Sequence, residues 1–158
     1  MDKSFEKGCV LIVGGSGGIG SLCAKEFAQS GARVVITYYK NEQAADEVAK
    51  AINNDVQIYQ LDNSDPKSVE ETFQKVVNDH GSINTLVNAA GFDIPQKFIS
   101  EIDIDLWKGV IDADINGFFN LIKFGLPHLR ESQGSIVFIS SAGLFKYPPG
   151  AVSYTHLR

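Results

Sequence analysis

Apolar residues along the chain keep two alternating rhythms: short unbroken runs, and longer stretches in which they recur every three or four positions. Cys9 to Val13 is an unbroken run and reads as a strand buried on both faces. Gly18 to Gln29 has helical spacing, Gly31 closes it, and Arg33 to Tyr38 forms a second strand rich in β-branched residues. Asn41 opens a helix through Ala44, Ala45, Val48, Ala49 and Ile52, and Val56 to Leu61 is the third strand. Pro66 starts a helix with Val69, Phe73, Val76 and Val77 on one face, stopping near Gly81 before a fourth strand, Ile83 to Val87. A looser segment after Gly91 precedes a long helix from about Asp105 to Leu129, striped by Trp107, Ile111, Ile115, Phe118, Leu121 and Ile122. Ser135 to Ile139 is the last strand, and it runs into Ser140-Ser141-Ala142-Gly143.

Strands alternating with helices of this length predict an α/β domain. Its sheet is parallel, wrapped on both faces through right-handed crossovers, with the ligand crevice at the carboxyl ends of the strands. No linker, repeat or low-complexity stretch interrupts the alternation, and 158 residues accommodate one domain with a substantial core. The unusual motifs all fall at the predicted strand ends.

The first of these ends carries the most information. Val13 leads into Gly14-Gly15-Ser16-Gly17-Gly18-Ile19-Gly20, and a helix begins at once. Such a turn gathers backbone N–H groups and the positive end of a helix at one point, which suits a pyrophosphate. The spacing Gly-x-x-x-Gly-x-Gly differs from the usual Gly-x-Gly-x-x-Gly fingerprint but meets the same needs: a sharp turn, close phosphate approach, and close packing of helix on strand. A plain glycine-rich turn between strand and helix remains the alternative at this point.

Charge and cysteine content narrow the classes further. A formal charge of −5, with basic residues scattered rather than clustered, argues against a nucleic-acid or anionic-membrane partner. Cys9 and Cys23 lack the spacing of a metal or redox pair, so both read as reduced, packed thiols and no metal site is expected. Met1 to Lys7 is polar and charged rather than a signal peptide, and no apolar run approaches the ~20 residues of a membrane span. A cytoplasmic location is the expectation.

Taken together, the residues at the strand ends resemble those of the short-chain dehydrogenase/reductase family. The resemblance lies in the glycine run, Asp62 after the third strand, and Asn88-Ala89-Ala90-Gly91 after the fourth, close to the family's Asn-Asn-Ala-Gly. Trp107 with Val110-Ile111-Asp112, then Ile136 to Ser141 followed by Tyr154, extend it over essentially the whole chain in the family's order. Within the family the chain looks most similar to the 3-oxoacyl reductases linked to carrier protein or coenzyme A.

The resemblance implies a Rossmann-type doubly wound sheet of order 3-2-1-4-5, with the family's last strands missing. It also implies hydride transfer between a nicotinamide cofactor and a small-molecule carbonyl or alcohol. In that frame Gly14, Gly15, Ser16, Gly17, Gly18, Ile19 and Gly20 cradle the cofactor phosphates. Asp62 meets the adenine through its side chain and Asn63 through its backbone, while Asn88, Ala89, Ala90 and Gly91 complete the cofactor site. Tyr154 passes the proton and Ser141 holds the substrate oxygen. A phenol titrates near ~10 unperturbed, so work at neutral pH calls for a neighbouring cation, which the family supplies as a lysine four residues on.

Two departures touch this relay. Arg158 stands where the family has that lysine, and a planar guanidinium does not replace a compact ammonium. Asp114 stands where the family has an asparagine that holds a relay water. It lies seven residues from Trp107 and four from Phe118, which aims its carboxylate inward, where it needs a partner. Family members also continue for roughly another hundred residues, so the chain reads as the N-terminal portion of a longer, homo-oligomeric reductase. Ser153 to Arg158 further resembles a translated sequencing adapter, in which case Arg158 is no substitution at all.

Cofactor choice turns on the end of the second strand, Thr37-Tyr38-Tyr39-Lys40-Asn41. A site for NAD places an acid there to bind the ribose hydroxyls, whereas a 2′-phosphate wants a cation or hydroxyl. With no acid before Glu42, and with Tyr39 and Lys40 in place, NADP is favoured and NAD remains open; Gly17, where NADP users often carry arginine, weighs on the other side. Taken singly, Lys40 also fits a solvated loop cation, Ser141 a turn serine beside Ser140, Asp62 and Asn63 Asx-turn residues, and Asp114 a solvated helix residue. A nucleotide-binding module without turnover and an inert truncated product therefore stand beside the reductase as alternatives.

Overall fold

In the computed structural model, residues 8–52, 56–91 and 97–141 are described. Five strands, β1 (Cys9–Val13), β2 (Val34–Tyr38), β3 (Gln57–Gln60), β4 (Ile83–Asn88) and β5 (Ser135–Phe138), form one sheet. Its order is β3-β2-β1-β4-β5 and each of its pairings is parallel, as the family's topology implies. The chain reverses direction of growth between β3 and β4, so the crevice opens where β1 and β4 diverge, beyond Val13 and Asn88, which are register partners.

The helices are α1 (Gly18–Gln29), α2 (Glu42–Ala51), α3 (Pro66–His80), α4 (Ile104–Val110) and α5 (Gly117–Ser132). Several of their starts and stops reflect local chemistry. Asn41 and Asp65 cap α2 and α3 by accepting the amides of Ala44 and Lys67, both at 3.0 Å, and Asp103 caps α4 by accepting that of Leu106 at 2.7 Å. Gly81, at φ 85°, ends α3.

The sheet divides the core in two. On one face Leu11, Val13, Phe73, Val76, Leu86 and Leu121 pack under α3 and α5. On the other, Val10, Ile12, Ala24, Ile36, Ala45 and Val87 pack under α1 and α2. Every residue of β1 is buried, which explains why its sequence is apolar without alternation. At β5 Ile136 and Val137 are 38% and 41% exposed, in line with the open edge expected at the fifth strand.

One element differs from its expected form. The long helix after Gly91 is interrupted by a π-helical turn, Ile111–Asn116, between α4 and α5. A π-turn adds a residue to the helical ring and rotates the downstream helix out of α-phase. The expected apolar stripe is split accordingly: Leu121 is fully buried, whereas Ile115 is 40% exposed.

Candidate functional site

The glycine run forms the turn from β1 to α1 at the mouth of the crevice. Gly14 has φ 77°, a left-handed value, and a Cβ there would stand 2.7 Å from the Ala90 backbone, so this glycine serves both turn and packing. The Gly17 amide donates to the Gly14 carbonyl at 3.1 Å, which closes the turn. A Cβ on Gly20 would run into the carbonyl oxygen of Gly14, so here glycine brings helix and turn together. Gly18 is different: beyond its own chain neighbours and helix backbone, a Cβ there would meet no atom of the described residues within 4 Å, so packing among them does not explain the missing side chain.

The start of α1 is also unlike the starts of α2, α3 and α4. Gly17, its N-cap, offers no side chain, so no side-chain cap satisfies the first amides of α1. Gly17, Gly18 and Ile19 are exposed, with Ile19 at 55%, whereas Gly15 and Gly20 are buried. Open amides, a positive helix end and an unobstructed Gly18 together fit an anionic phosphate. Ser16 lies half-buried in the same turn.

Sequence reasoning missed the group that holds this turn in place. Thr37, 1% exposed at the end of β2, accepts the Gly14 amide on its Oγ1 at 3.3 Å. A hydroxyl in an otherwise apolar strand was the available signal. On the β4 side the Ala89 amide donates to the Val13 carbonyl at 2.9 Å, and Asn88 Oδ1 accepts the Ala90 amide at 3.2 Å. Asn88 is 3% exposed, so Asn88 to Gly91 makes a rigid turn directly against Gly14.

A cleft of about 370 Å³ continues from these turns toward β2 and β3. Gly14, Ala90 and Gly91 border one end, Tyr38, Tyr39, Asp62 and Asn63 the other, and Asp112 and Ala113 of the π-turn the far wall. Asp62 shapes its own loop, since Oδ1 accepts both the amide and the hydroxyl of Ser64 at 3.0 and 2.6 Å. Lys40 Nζ stands 4.7 Å from the centroid of the Tyr39 ring, and Tyr39 is 52% exposed. Burial, with the Glu42 carboxylate beside it, pushes the Tyr38 phenol above its ordinary value, so it stays neutral at this rim.

Of the four residues expected to carry chemistry, two are described. Asp114 is 6% exposed within the π-turn, inward as its spacing predicted. Ser141 is half-buried three residues beyond β5. The rings of Phe118 and Phe138 meet at 4.3 Å, which fixes the helix carrying Asp114 against the strand leading to Ser141. Tyr154 and Arg158 lie outside the described residues. Among those residues no group of His, Cys, Asp and Glu could hold a metal ion, and no helix is long and apolar enough to cross a membrane.

Residues 8–156 match the family model for the short chain dehydrogenases. The chain belongs to this family. It is 32% identical over 151 residues to the meso-2,3-butanediol dehydrogenase of Serratia marcescens, covering 95% of this chain and 59% of the relative. It is equally 32% identical over 147 residues to a 3-oxoacyl-[acyl-carrier-protein] reductase of Thermotoga maritima, covering 91% and 59%. Among solved structures, the NADP-bound ElxO aligns at a TM-score of 0.84 with 31% identity, over 94% of this chain and 61% of that one. The 3-ketoacyl-(acyl-carrier-protein) reductase of Brucella melitensis, complexed with NADH, aligns at 0.89 with 24% identity over 96% and 64%, which speaks for the fold alone. The chain thus spans about three fifths of the length of these family members.

Proposed function

We propose that the chain is the cofactor-binding portion of a reductase or dehydrogenase. It uses NADP(H) to move a hydride between the nicotinamide and a carbonyl or secondary alcohol. The observation that carries this reading is the uncapped start of α1 at Gly18, next to a cleft bordered by Gly14 and by Tyr39, whose ring carries the Lys40 ammonium; the chain has no acid between the end of β2 and Glu42. The amides of Gly18, Ile19 and Gly20 hold the pyrophosphate, the Asp62 carboxylate and the Asn63 amide face the adenine, and Asn88 to Gly91 support the nicotinamide end. NADP- and NADH-bound neighbours both occur, so cofactor preference rests on this chain's own rim, where a 2′-phosphate meets the Lys40 ammonium.

When bound, the reduced cofactor would supply the hydride to a carbonyl and the oxidised one would take it from an alcohol. For the proton, Ser141 anchors the substrate oxygen and Tyr154 donates or accepts; Arg158 keeps a positive charge four residues on, without the compact ammonium's reach to phenol and ribose together, and Asp114 stands at the relay-water position of the π-turn. A small carbonyl or alcohol substrate, a homo-oligomeric parent and a cytoplasmic location belong to the same proposal.

Replacing Lys40 by glutamate tests the cofactor assignment by fluorescence titration. NADPH binding is expected to weaken at least tenfold, the loss of about 1.4 kcal/mol from one reversed charge contact, while NADH binding changes by less than about threefold. Equal losses defeat the assignment.

Asp114 favours a second reading, a nucleotide-binding module without turnover, because a buried carboxylate stands where the family's asparagine holds a relay water. NADPH binding with little turnover of a 3-oxoacyl or diketone substrate is the outcome expected of this 158-residue chain. Robust NADPH oxidation overturns that expectation, and absence of NADPH binding leaves the inert product.

A further inference from the structure

We infer that Asn120 is a positioning residue for the adenosine end of the cofactor, acting through Asn63; the inference rests on the cofactor reading above. Asn120 lies on α5 and is 6% exposed, so its amide is among the few polar side chains taken into the interior. Its Nδ2 donates to the carbonyl of Asn63 at 2.9 Å and to that of Ser64 at 3.4 Å. Asn63 answers in the opposite direction, donating from its own Nδ2 to the carbonyl of Ala113 at 3.0 Å, inside the π-turn. A Cβ on Gly117 would stand 2.5 Å from that same Nδ2, so the helix carries no side chain where the Asn63 amide lies against it.

These bonds join the two sides of one cleft. Asp62, Asn63 and Ser64 line it from the β3 side, and Asp112 and Ala113 line it from the helix. The local bonds of the loop, Ser64 to Asp62 and Asp65 to Asp62, give it an internal shape without fixing its distance from the far wall. Asn120 and Asn63 fix that distance, and with it the width of the slot an adenine enters. The Asn63 and Ser64 carbonyls, both accepting from the Asn120 amide, are held toward the helix, which leaves the loop to present the Asn63 amide and the Asp62 carboxylate to the cleft.

Titration of Asn120→Ala with NADPH and with adenosine 2′,5′-bisphosphate, well below the unfolding midpoint, tests this. Both affinities are expected to fall by the same factor, about tenfold, because the fragment makes the adenosine contacts of the whole cofactor. A general loosening of the crevice instead weakens NADPH more than the fragment. Asn63→Ala, at a half-buried position, carries the same expectation and gives the answer if Asn120→Ala does not fold. Affinities of a folded variant within twofold of the parent chain, or loss confined to NADPH, overturn the inference. Parent chain that binds neither NADPH nor NADH overturns the cofactor reading and this inference with it.

Discussion

Gly18→Ala separates a glycine that serves the fold from one that serves a ligand. Beyond its own local backbone, a methyl at Gly18 meets no atom of the described residues within 4 Å, and Gly18 is the first residue of α1 with no left-handed φ to preserve. Alanine there restricts the unfolded chain and suits the helix, which raises stability by about 0.5 kcal/mol. For a chain of this size that is an increase of roughly 1–2 °C in Tm. The same methyl occupies the approach to the amides of α1. Loss of a single charge-assisted bond, worth about 1.5–3 kcal/mol, lowers affinity at least tenfold. Gly20→Ala gives the opposite stability result. Its Cβ would stand 2.8 Å from Gly15 Cα and 2.9 Å from Gly14 C, all backbone, so the turn must move at a cost of about 1–3 kcal/mol. Thermal unfolding beside NADPH titration of both variants checks this. A Gly18→Ala chain that binds NADPH within twofold of the parent refutes the reasoning, because Gly18 would then face only solvent.

Buried groups give three further expected outcomes. Burial, assisted by Arg33 and opposed by Asp79, lowers the His80 pKa, and its Nε2 is buried without a partner among the described residues. The unfolded chain therefore takes up a proton near pH 6.5 that the fold resists, so stability is full above about 6.5 and falls as pH drops below it. Denaturant midpoints across pH 5 to 8 should show this slope, and His80→Gln should flatten it; an unchanged slope rules out His80 as its source. Thr37→Val strands the Gly14 amide at a cost of about 1–3 kcal/mol and speeds hydrogen exchange at Gly14, and unaltered exchange there would show that the turn holds without the hydroxyl. The Cys9 thiol, buried and pushed up to about 12, should react with a thiol reagent at pH 8 only as fast as the chain unfolds, and faster labelling would contradict its burial.

The strands and most helix ends were legible because each is set by neighbours in sequence: an apolar run for β1, Asn41 at the start of α2, Pro66 at the start of α3, a left-handed glycine after α3. The glycine turn was legible for the same reason. The π-turn was not, since helical periodicity assigns one phase to a whole segment and an inserted residue is invisible until both halves are packed. That is why Asp114 was placed inward correctly while Ile115, its neighbour, was placed in a buried stripe and is exposed. Thr37 and Asn120 escaped notice because their importance lies in partners 23 and 57 positions away, Gly14 and Asn63, and no local pattern announces such pairs. Ser141 lies three residues beyond the end of β5 at Phe138, one residue further from the strand than its apolar run implied, and Tyr154 and Arg158 fall outside the described residues.

The central strand has a consequence for how the chain is made. β1 is buried along its whole length, yet one of its two flanking strands, β4, is synthesised only when the ribosome reaches Asn88, the partner of Val13. At 5–20 residues per second that interval is roughly 4–15 s. Once β2 is complete at Tyr38, the apolar β1 has β2 on one side and, until β4 arrives, an open row of amides and carbonyls on the other. The crevice between Gly14 and Ala90 is closed by that same late pairing, so cofactor binding during synthesis has to wait for β4 to arrive. Chaperone capture before that moment would therefore protect folding and ligand binding in a single event.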